Sequence, residues 1–218
     1  ASHDGIGMRP IEGLIDNLKL NELFVRLKKN GGEFSFRRVQ GKGKKVYEAN
    51  ITLFNAFEKS DFDKKGEYSL ERFISAHAIM LAFEGIPAVY FNSIFGTSND
   101  NSKYIISGNK RDLNRYRWNK VRLEKSLKNK NSKQTIYYKN MINLLKVRNK
   151  QKAFHPDATQ NTLKLGPKIF AIKRLSIDKK QSITCLTNVT SEKQFVNLNI
   201  NKDKFKNLLQ DKLIFANK

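Results

Sequence analysis

The stretch SLERFISAHAIMLAFEGIPAVYFNSIFG, residues 69–96, changes character near its midpoint. In its first half Leu70, Phe73, Ile74, His77, Met80 and Leu81 recur at spacings of three and four, which predicts an amphipathic helix. Ser69 is a fitting N-cap, and Gly85 and Pro87 stop the helix. His77 falls on the apolar face, where a packed core histidine is expected rather than a ligand. The second half, AVYFNSIFG, is a short apolar run bounded by Pro and Gly and reads as a buried strand. A helix followed at once by a buried strand is the rhythm of a parallel α/β barrel.

Moving toward the N-terminus, residues 46–57 (VYEANITLFNAF) mix aromatic and polar side chains and read as an ordered loop. Phe34 to Val39 is a candidate short strand, and Gln40-Gly41-Lys42-Gly43 a turn. From Ile11 to Lys29 the apolar residues Ile11, Leu14, Ile15, Leu18, Leu23, Phe24 and Leu27 predict two short helices broken near Asn21 and ended by Gly31-Gly32. The first nine residues, ASHDGIGMR, read as a glycine-punctuated loop leaving a strand. Toward the C-terminus, residues 97–135 are polar and very basic. Helix resumes near Tyr137 and closes at His155-Pro156, where His155 has a structural reading. Beyond Gln160, LKLGPKIFAIKRL, SITCLTNV and QFVNLNI alternate apolar and polar residues at period two, as antiparallel strands do.

The composition bounds the function. The 218 residues include 15 Phe and 7 Tyr, too aromatic for a disordered chain. The formal charge of +22 would suit a polyanion partner, with Lys103 to Lys133 the place to look for one. The lysines are spread along the whole chain, however, so neither nucleic acid nor membrane is expected as a partner. One cysteine, Cys185, excludes an intramolecular disulfide. The chain shows no signal peptide, no apolar run long enough to span a bilayer, no Cys/His metal cluster, no P-loop and no dinucleotide fingerprint. A soluble, cytoplasmic protein without a cofactor is expected.

His3-Asp4, inside SHDGIGMRPIEGL, is a weak signal alone. An acceptor-only carboxylate beside a histidine can face a polar ligand. The surrounding residues strengthen it. SHDGIGMRPIEGL resembles the fourth sequence region of the α-amylase superfamily (glycoside hydrolase family 13), in the spelling of the sucrose phosphorylase type. VYEANITLFNAF is similar to its Y-x-x-N-x-T segment, and RFISAHAIMLAFEGIPAVYFNSIFG to its seventh barrel helix and eighth strand. NKRDLNRYRW is similar to its D-I-N-R segment, and LLKVRNKQKAFHP to its eighth helix. The segments occur in the family's order and cover nearly the whole chain.

The resemblance implies an α/β fold: the C-terminal part of a TIM (β/α)8 barrel at residues 1–157, then a small antiparallel β-domain at 158–218. It implies a retaining glucosyl transfer from sucrose or a related α-glucoside to inorganic phosphate, giving α-glucose 1-phosphate. Asp4 matches the third carboxylate, which stabilises the transition state, and His3 its sugar-binding neighbour. Arg115 matches an arginine over the donor glucose. Tyr47 matches an aromatic residue that serves acceptor and phosphate in turn. Glu48 stands where a Gln is usual, so the acceptor site is expected to differ. Arg9 is a second departure, suited to an anionic acceptor such as glycerate or a sugar phosphate. No residue of the chain matches the nucleophile or the acid/base, and Ala1 is read as a truncation point. The chain alone is therefore expected to be inactive and poorly soluble. A phosphorylase specific for glucosylglycerate or a sugar phosphate, or a hydrolase or transglucosylase of the same superfamily, is the alternative.

Overall fold

The computed structural model describes residues 1–41, 43–198, 204–210 and 212–215. They pack as two compact units that the chain visits alternately: residues 1–73 with 88–139, and residues 74–87 with 140–218. The boundary expected at residue 158 falls inside the second unit.

The first unit is built on a three-stranded antiparallel sheet. Its strands are β1 (Ile6–Gly7), β2 (Glu33–Val39) and β3 (Gly43–Asn50), in the order β1-β3-β2. The expected strand at 34–39 is β2. Residues 46–57, expected as a loop, instead form the end of β3 and a short helix α2 (Leu53–Glu58). Glu48, Ala49 and Asn50 are all buried, so β3 shows no alternation at its end and its sequence hides a strand. The helix start was marked by Thr52, whose hydroxyl caps the Asn55 amide at 3.2 Å.

The two helices expected over 11–29 are a 3-10 turn at Arg9–Ile11 and one unbroken helix, α1 (Asn17–Lys29). Asp16 caps α1 by accepting from the Lys19 amide at 2.9 Å, and Asn21 sits inside it without breaking it. Leu27, with Leu23 and Phe24 beside it, packs against Met8, Ala49 and Ile51. Leu14 and Leu18 face solvent. The apolar positions thus belonged to two different surfaces, which produced the apparent break.

Helix α3 (Ser69–Ala82) forms as the periodicity predicts, with Ser69 as its first residue and Phe73, His77 and Leu81 buried. The strand expected at 88–96 does not form. Residues 86–90 have no regular secondary structure, and a single helical turn, α4 (Phe91–Ile94), follows. A parallel strand exists only between hydrogen-bonded neighbours. Among the described residues none pairs with this segment, and no closed barrel is formed. Helices α5 (Asn101–Ser107), α6 (Lys120–Lys128) and α7 (Lys133–Asn149) complete the helical content. Phe54 and Phe73 meet Tyr137 edge-on at 5.5 and 5.1 Å, a second apolar centre of this unit.

In the second unit, strands β4 (Thr159–Thr162), β5 (Ile169–Leu175) and β6 (Ser182–Asn188) pair antiparallel in chain order. The hairpin β7 (Lys204–Asn207) and β8 (Lys212–Phe215) follows. Of the expected strand QFVNLNI, residues 194–198 are not in a strand, and 199–200 lie outside the described residues. A 3-10 turn, Lys152–Phe154, separates α7 from His155. Cys185 on β6 is half-buried, and burial pushes its thiol up to about 11. At pH 8 its alkylation by iodoacetamide is expected to be on the order of a hundredfold slower than that of a free thiol. Equal rates in a timed mass-spectrometric assay would contradict this.

No helix among the described residues is long and apolar enough to cross a membrane.

Candidate functional site

Everything at the site hangs from one tight turn. Ser2 and Gly5 exchange backbone hydrogen bonds of 2.9 and 3.1 Å, so His3 and Asp4 form the tip of a closed loop that runs directly into β1. β1 pairs with β3 in the register Ile6↔Ala49 and Gly7↔Glu48, which sets the loop beside the end of β3. Gly5 makes this approach achievable. Its φ is +115°, and a Cβ there would stand 2.2 Å from the Ala49 carbonyl oxygen. Gly5→Ala is therefore expected to cost at least ~3 kcal/mol, from the strained backbone plus the collision. Urea unfolding measures it, and an unchanged midpoint would show that the loop is not held where the structure has it.

Two side-chain amides fix the loop backbone. Asn50 Nδ2 donates to the Asp4 carbonyl at 3.0 Å. Asn114 Nδ2 donates to the His3 carbonyl, which also accepts from Arg115 Nε at 3.0 Å. Asn114 and Arg115 lie at the end of a 3-10 segment, Lys110–Asn114. That segment is anchored by Lys103, which pairs with Asp112 at 2.6 Å, and by Asp100, whose amide donates to the Leu113 carbonyl at 2.7 Å.

The side chains then meet. Arg115 Nη2 contacts Asp4 Oδ1 at 2.7 Å, Arg111 Nη1 contacts the same oxygen at 3.3 Å, and His3 Nε2 does so at 3.3 Å. Arg111 is shared. Its Nη2 and Nε reach both oxygens of Glu48, at 2.8 and 3.1 Å. Glu48 is buried and also accepts from Asn50 Nδ2. Two carboxylates and two guanidinium groups thus form one balanced cluster. The contacts from Arg115, Arg111 and His3 are each given to Oδ1, and Oδ2 accepts no hydrogen bond among the described residues.

The hydrogen bond from Arg115, helped by the charges of Arg111, His3 and Arg115, holds the Asp4 carboxyl below the usual carboxylate range, against a desolvation effect that raises it. Glu48 in turn raises the Arg111 guanidinium above its ordinary value. Because Asp4 is more acidic folded than unfolded, it adds stability at and above the pH where a free carboxylate ionises. That contribution disappears as the pH falls through its lowered folded value, so Asp4 stays an anion throughout the neutral range.

Of the six residues singled out from the sequence, the structure brings His3, Asp4, Glu48 and Arg115 together. Tyr47 is next to Glu48 on β3. Ser35 pairs with Glu48 and Phe36 with Val46, so Tyr47 is the extra residue of a β-bulge. Arg9 is exposed, and its guanidinium has no ion pair or hydrogen bond to the cluster. Sequence reading missed Arg111, Asn50 and Asn114. The signal was present: Arg111 and Arg115 are four residues apart around one turn, and the segments VYEANITLFNAF and NKRDLNRYRW carry Asn50 and Asn114. The basic stretch 103–133 also divides. Lys103, Arg111 and Arg115 are tied into ion pairs, and Lys110 donates to the Phe34 carbonyl at 2.7 Å. Lys133 lies 3.2 Å from the Phe54 ring centre.

A small antiparallel sheet and the 3-10 segment beside it thus present a carboxylate clamped by two arginines. Comparison with known proteins then places it. No protein-family model matches the sequence. The chain is 33% identical over 196 residues, 90% of its length, to a glucosylglycerate phosphorylase of Allomeiothermus silvanus. It is 30% identical over 198 residues, 91% of its length, to a glucosylglycerate phosphorylase of Escherichia coli. It spans about 35% of the length of each. Its fold matches the crystal structure of sucrose 6F-phosphate phosphorylase from Thermoanaerobacter thermosaccharolyticum with a TM-score of 0.59 at 21% identity, over 88% of this chain and 39% of that one. Over about 90% of its length the chain is thus similar in sequence to glucosylglycerate phosphorylases, in line with the resemblance of its motifs, and it shares the fold of part of the sucrose 6F-phosphate phosphorylase structure.

Proposed function

We propose that this chain forms the donor-sugar side of a retaining α-glucoside phosphorylase of glycoside hydrolase family 13, with glucosylglycerate as the preferred donor. The observation that carries the reading is Asp4, held ionised by Arg115 and Arg111 through Oδ1 while Oδ2 stays free to accept sugar hydroxyls. In such a reaction a carboxylate nucleophile displaces the aglycone, whose oxygen takes a proton from a second carboxyl group. Phosphate then attacks the anomeric carbon and releases the nucleophile, giving α-glucose 1-phosphate. Positive charge develops on the sugar in both steps, and a fixed anion at Asp4 lowers that barrier. His3 supplies a further hydroxyl contact, Arg115 closes over the glucose, and Tyr47 on its bulge serves the acceptor side.

The domain reading accompanies this: residues 1–157 as the last part of a (β/α)8 barrel and 158–218 as a β-domain. The partners are the α-glucoside and phosphate, in the cytoplasm, with neither nucleic acid nor membrane required. Glucosylglycerate is favoured over sucrose by the names of the relatives, and Glu48 supports a departure from the usual acceptor site. Glu48 occupies Arg111, so the carboxylate of glycerate would be met by a cation other than Arg111. The 218-residue chain alone, which has no match to the nucleophile or acid/base, is proposed to be inactive.

The test is an assay of the full-length protein with phosphate and, separately, glucosylglycerate, sucrose and sucrose 6-phosphate. Release of α-glucose 1-phosphate from glucosylglycerate is the expected result. Phosphate-independent release of glucose would replace this reading with the hydrolase, and no turnover of any of the three would reject both.

A further inference from the structure

Beside the start of the chain is a cavity of about 10 Å³, lined in part by Ala1, Ser2, Tyr90, Asn92, Thr97 and Asn114. Asn92 is 4% exposed and Asn114 1%, and the side-chain oxygens of both have no hydrogen-bond partner among the described residues. A buried amide oxygen without a donor costs about 1–3 kcal/mol, so two beside one cavity require an explanation.

The amides cannot simply be turned round. Asn92 Nδ2 donates to the Tyr116 carbonyl at 2.9 Å, and Asn114 Nδ2 donates to the His3 carbonyl. Both partners are pure acceptors, so a flipped amide would set oxygen against oxygen. The two asparagines are already linked on one side. Asn92 Nδ2 also donates to the Tyr90 hydroxyl at 3.1 Å, and that hydroxyl donates to the Asn114 carbonyl at 3.1 Å. The two side-chain oxygens are the acceptors left open.

We propose that this cavity is a binding site for a single buried water that donates one proton to Asn92 Oδ1 and the other to Asn114 Oδ1. The volume suits one water and nothing larger, since a cavity needs about 10–15 Å³ to hold one. A water has two donors to match two acceptors. The Thr97 hydroxyl lines the same cavity and accepts from Trp118 Nε1 at 3.0 Å, which leaves its own proton to give to the water. The bound water polarises the Asn114 amide and so strengthens its bond to the His3 carbonyl. This inference stands apart from the proposed reaction and does not depend on it.

A crystal structure of the protein that resolves ordered water tests it, with crystals grown once in sodium and once in thallium salts. The expected result is one density peak about 2.7–3.0 Å from both oxygens, with no anomalous signal in thallium. An anomalous peak would make this a monovalent-cation site and overturn the water. A featureless cavity, or either amide turned away from it, would overturn it as well. In solution, cross-relaxation between a long-lived water and the Asn114 side-chain amide protons is expected, and its absence would count against the proposal independently of any lattice.

Discussion

Asp4→Asn in the full-length protein is expected to lower kcat for release of α-glucose 1-phosphate by about 10³-fold, a loss of roughly 4 kcal/mol of transition-state stabilisation. Asparagine keeps an oxygen where Oδ1 receives Arg115 and Arg111, so the cluster has an acceptor of the same shape. What it removes is the negative charge. A ground-state sugar hydroxyl binds an amide oxygen nearly as well as a carboxylate oxygen, so KM is expected to change far less than kcat. This split distinguishes stabilisation of developing positive charge from simple sugar binding. The pH profile adds a second check. Asp4 is held below the usual carboxylate range, so its protonation cannot form an acid limb near neutrality. The wild-type limbs therefore belong to other groups and are expected to survive in the variant. A variant that loses KM and kcat equally, or that keeps its rate, would remove Asp4 from the role given to it. Thermal unfolding of the same preparations guards against a folding defect.

How much of this was legible beforehand depends on what each residue touches. His3-Asp4, Glu48 and Arg115 are far apart in the sequence, yet all came from short motif spellings, and the sheet register and the Arg115 side chain then joined them. Helix α3 was legible because one face is apolar at helical spacing and has a clear stop. The end of β3 was not, because Glu48 and Asn50 are buried by pairing with polar partners rather than by apolar packing, and a buried polar strand has no period-two signature. Residues 86–96 misled in the opposite way. Their apolar run is real, but strand structure is a property of neighbours, and no strand among the described residues pairs with them. Arg111 was hidden by its setting. In a stretch crowded with lysine and arginine, composition cannot tell a solvated charge from one that joins two carboxylates. Arg9 is the converse: its spelling suggested a ligand contact, and its place in an exposed 3-10 turn gives it none within the cluster.

The largest stability effect is expected at Arg174, a residue that no functional motif touches. It lies on β5 with 0% of its surface exposed. A charge buried so completely is normally paired with a carboxylate, but the hydrogen bonds of this guanidinium go to backbone instead. Nη1 donates to the Ala82 carbonyl at 3.1 Å, and Nη2 to the carbonyls of His155 and Ala158 at 3.0 and 3.2 Å. Ala82 is the last residue of α3, where the helix dipole is negative and its final carbonyls lack partners. Arg148 supports the same helix end, donating to the carbonyls of Leu81 and Gly85 at 2.9 and 3.0 Å, and both guanidinium groups lie over the Phe154 ring. Burial lowers the pKa of Arg174, yet an arginine remains charged, so the carbonyls and the ring must compensate it. Arg174→Met fills much of the volume but leaves three carbonyls without their donor, at about 1–3 kcal/mol for each that water cannot reach. A loss of about 3–5 kcal/mol follows, a large share of the 5–15 kcal/mol that typically holds a domain together. Arg174→Lys is expected to recover little, because one ammonium on a flexible stem cannot reproduce a planar fork spanning three acceptors. Arg9→Ala, at an exposed turn, is the matched control and is expected to stay within about 0.5 kcal/mol of wild type. Urea midpoints of the three variants decide the matter: if Arg174→Met unfolds with Arg9→Ala and wild type, the guanidinium is not what joins the end of α3 to β5.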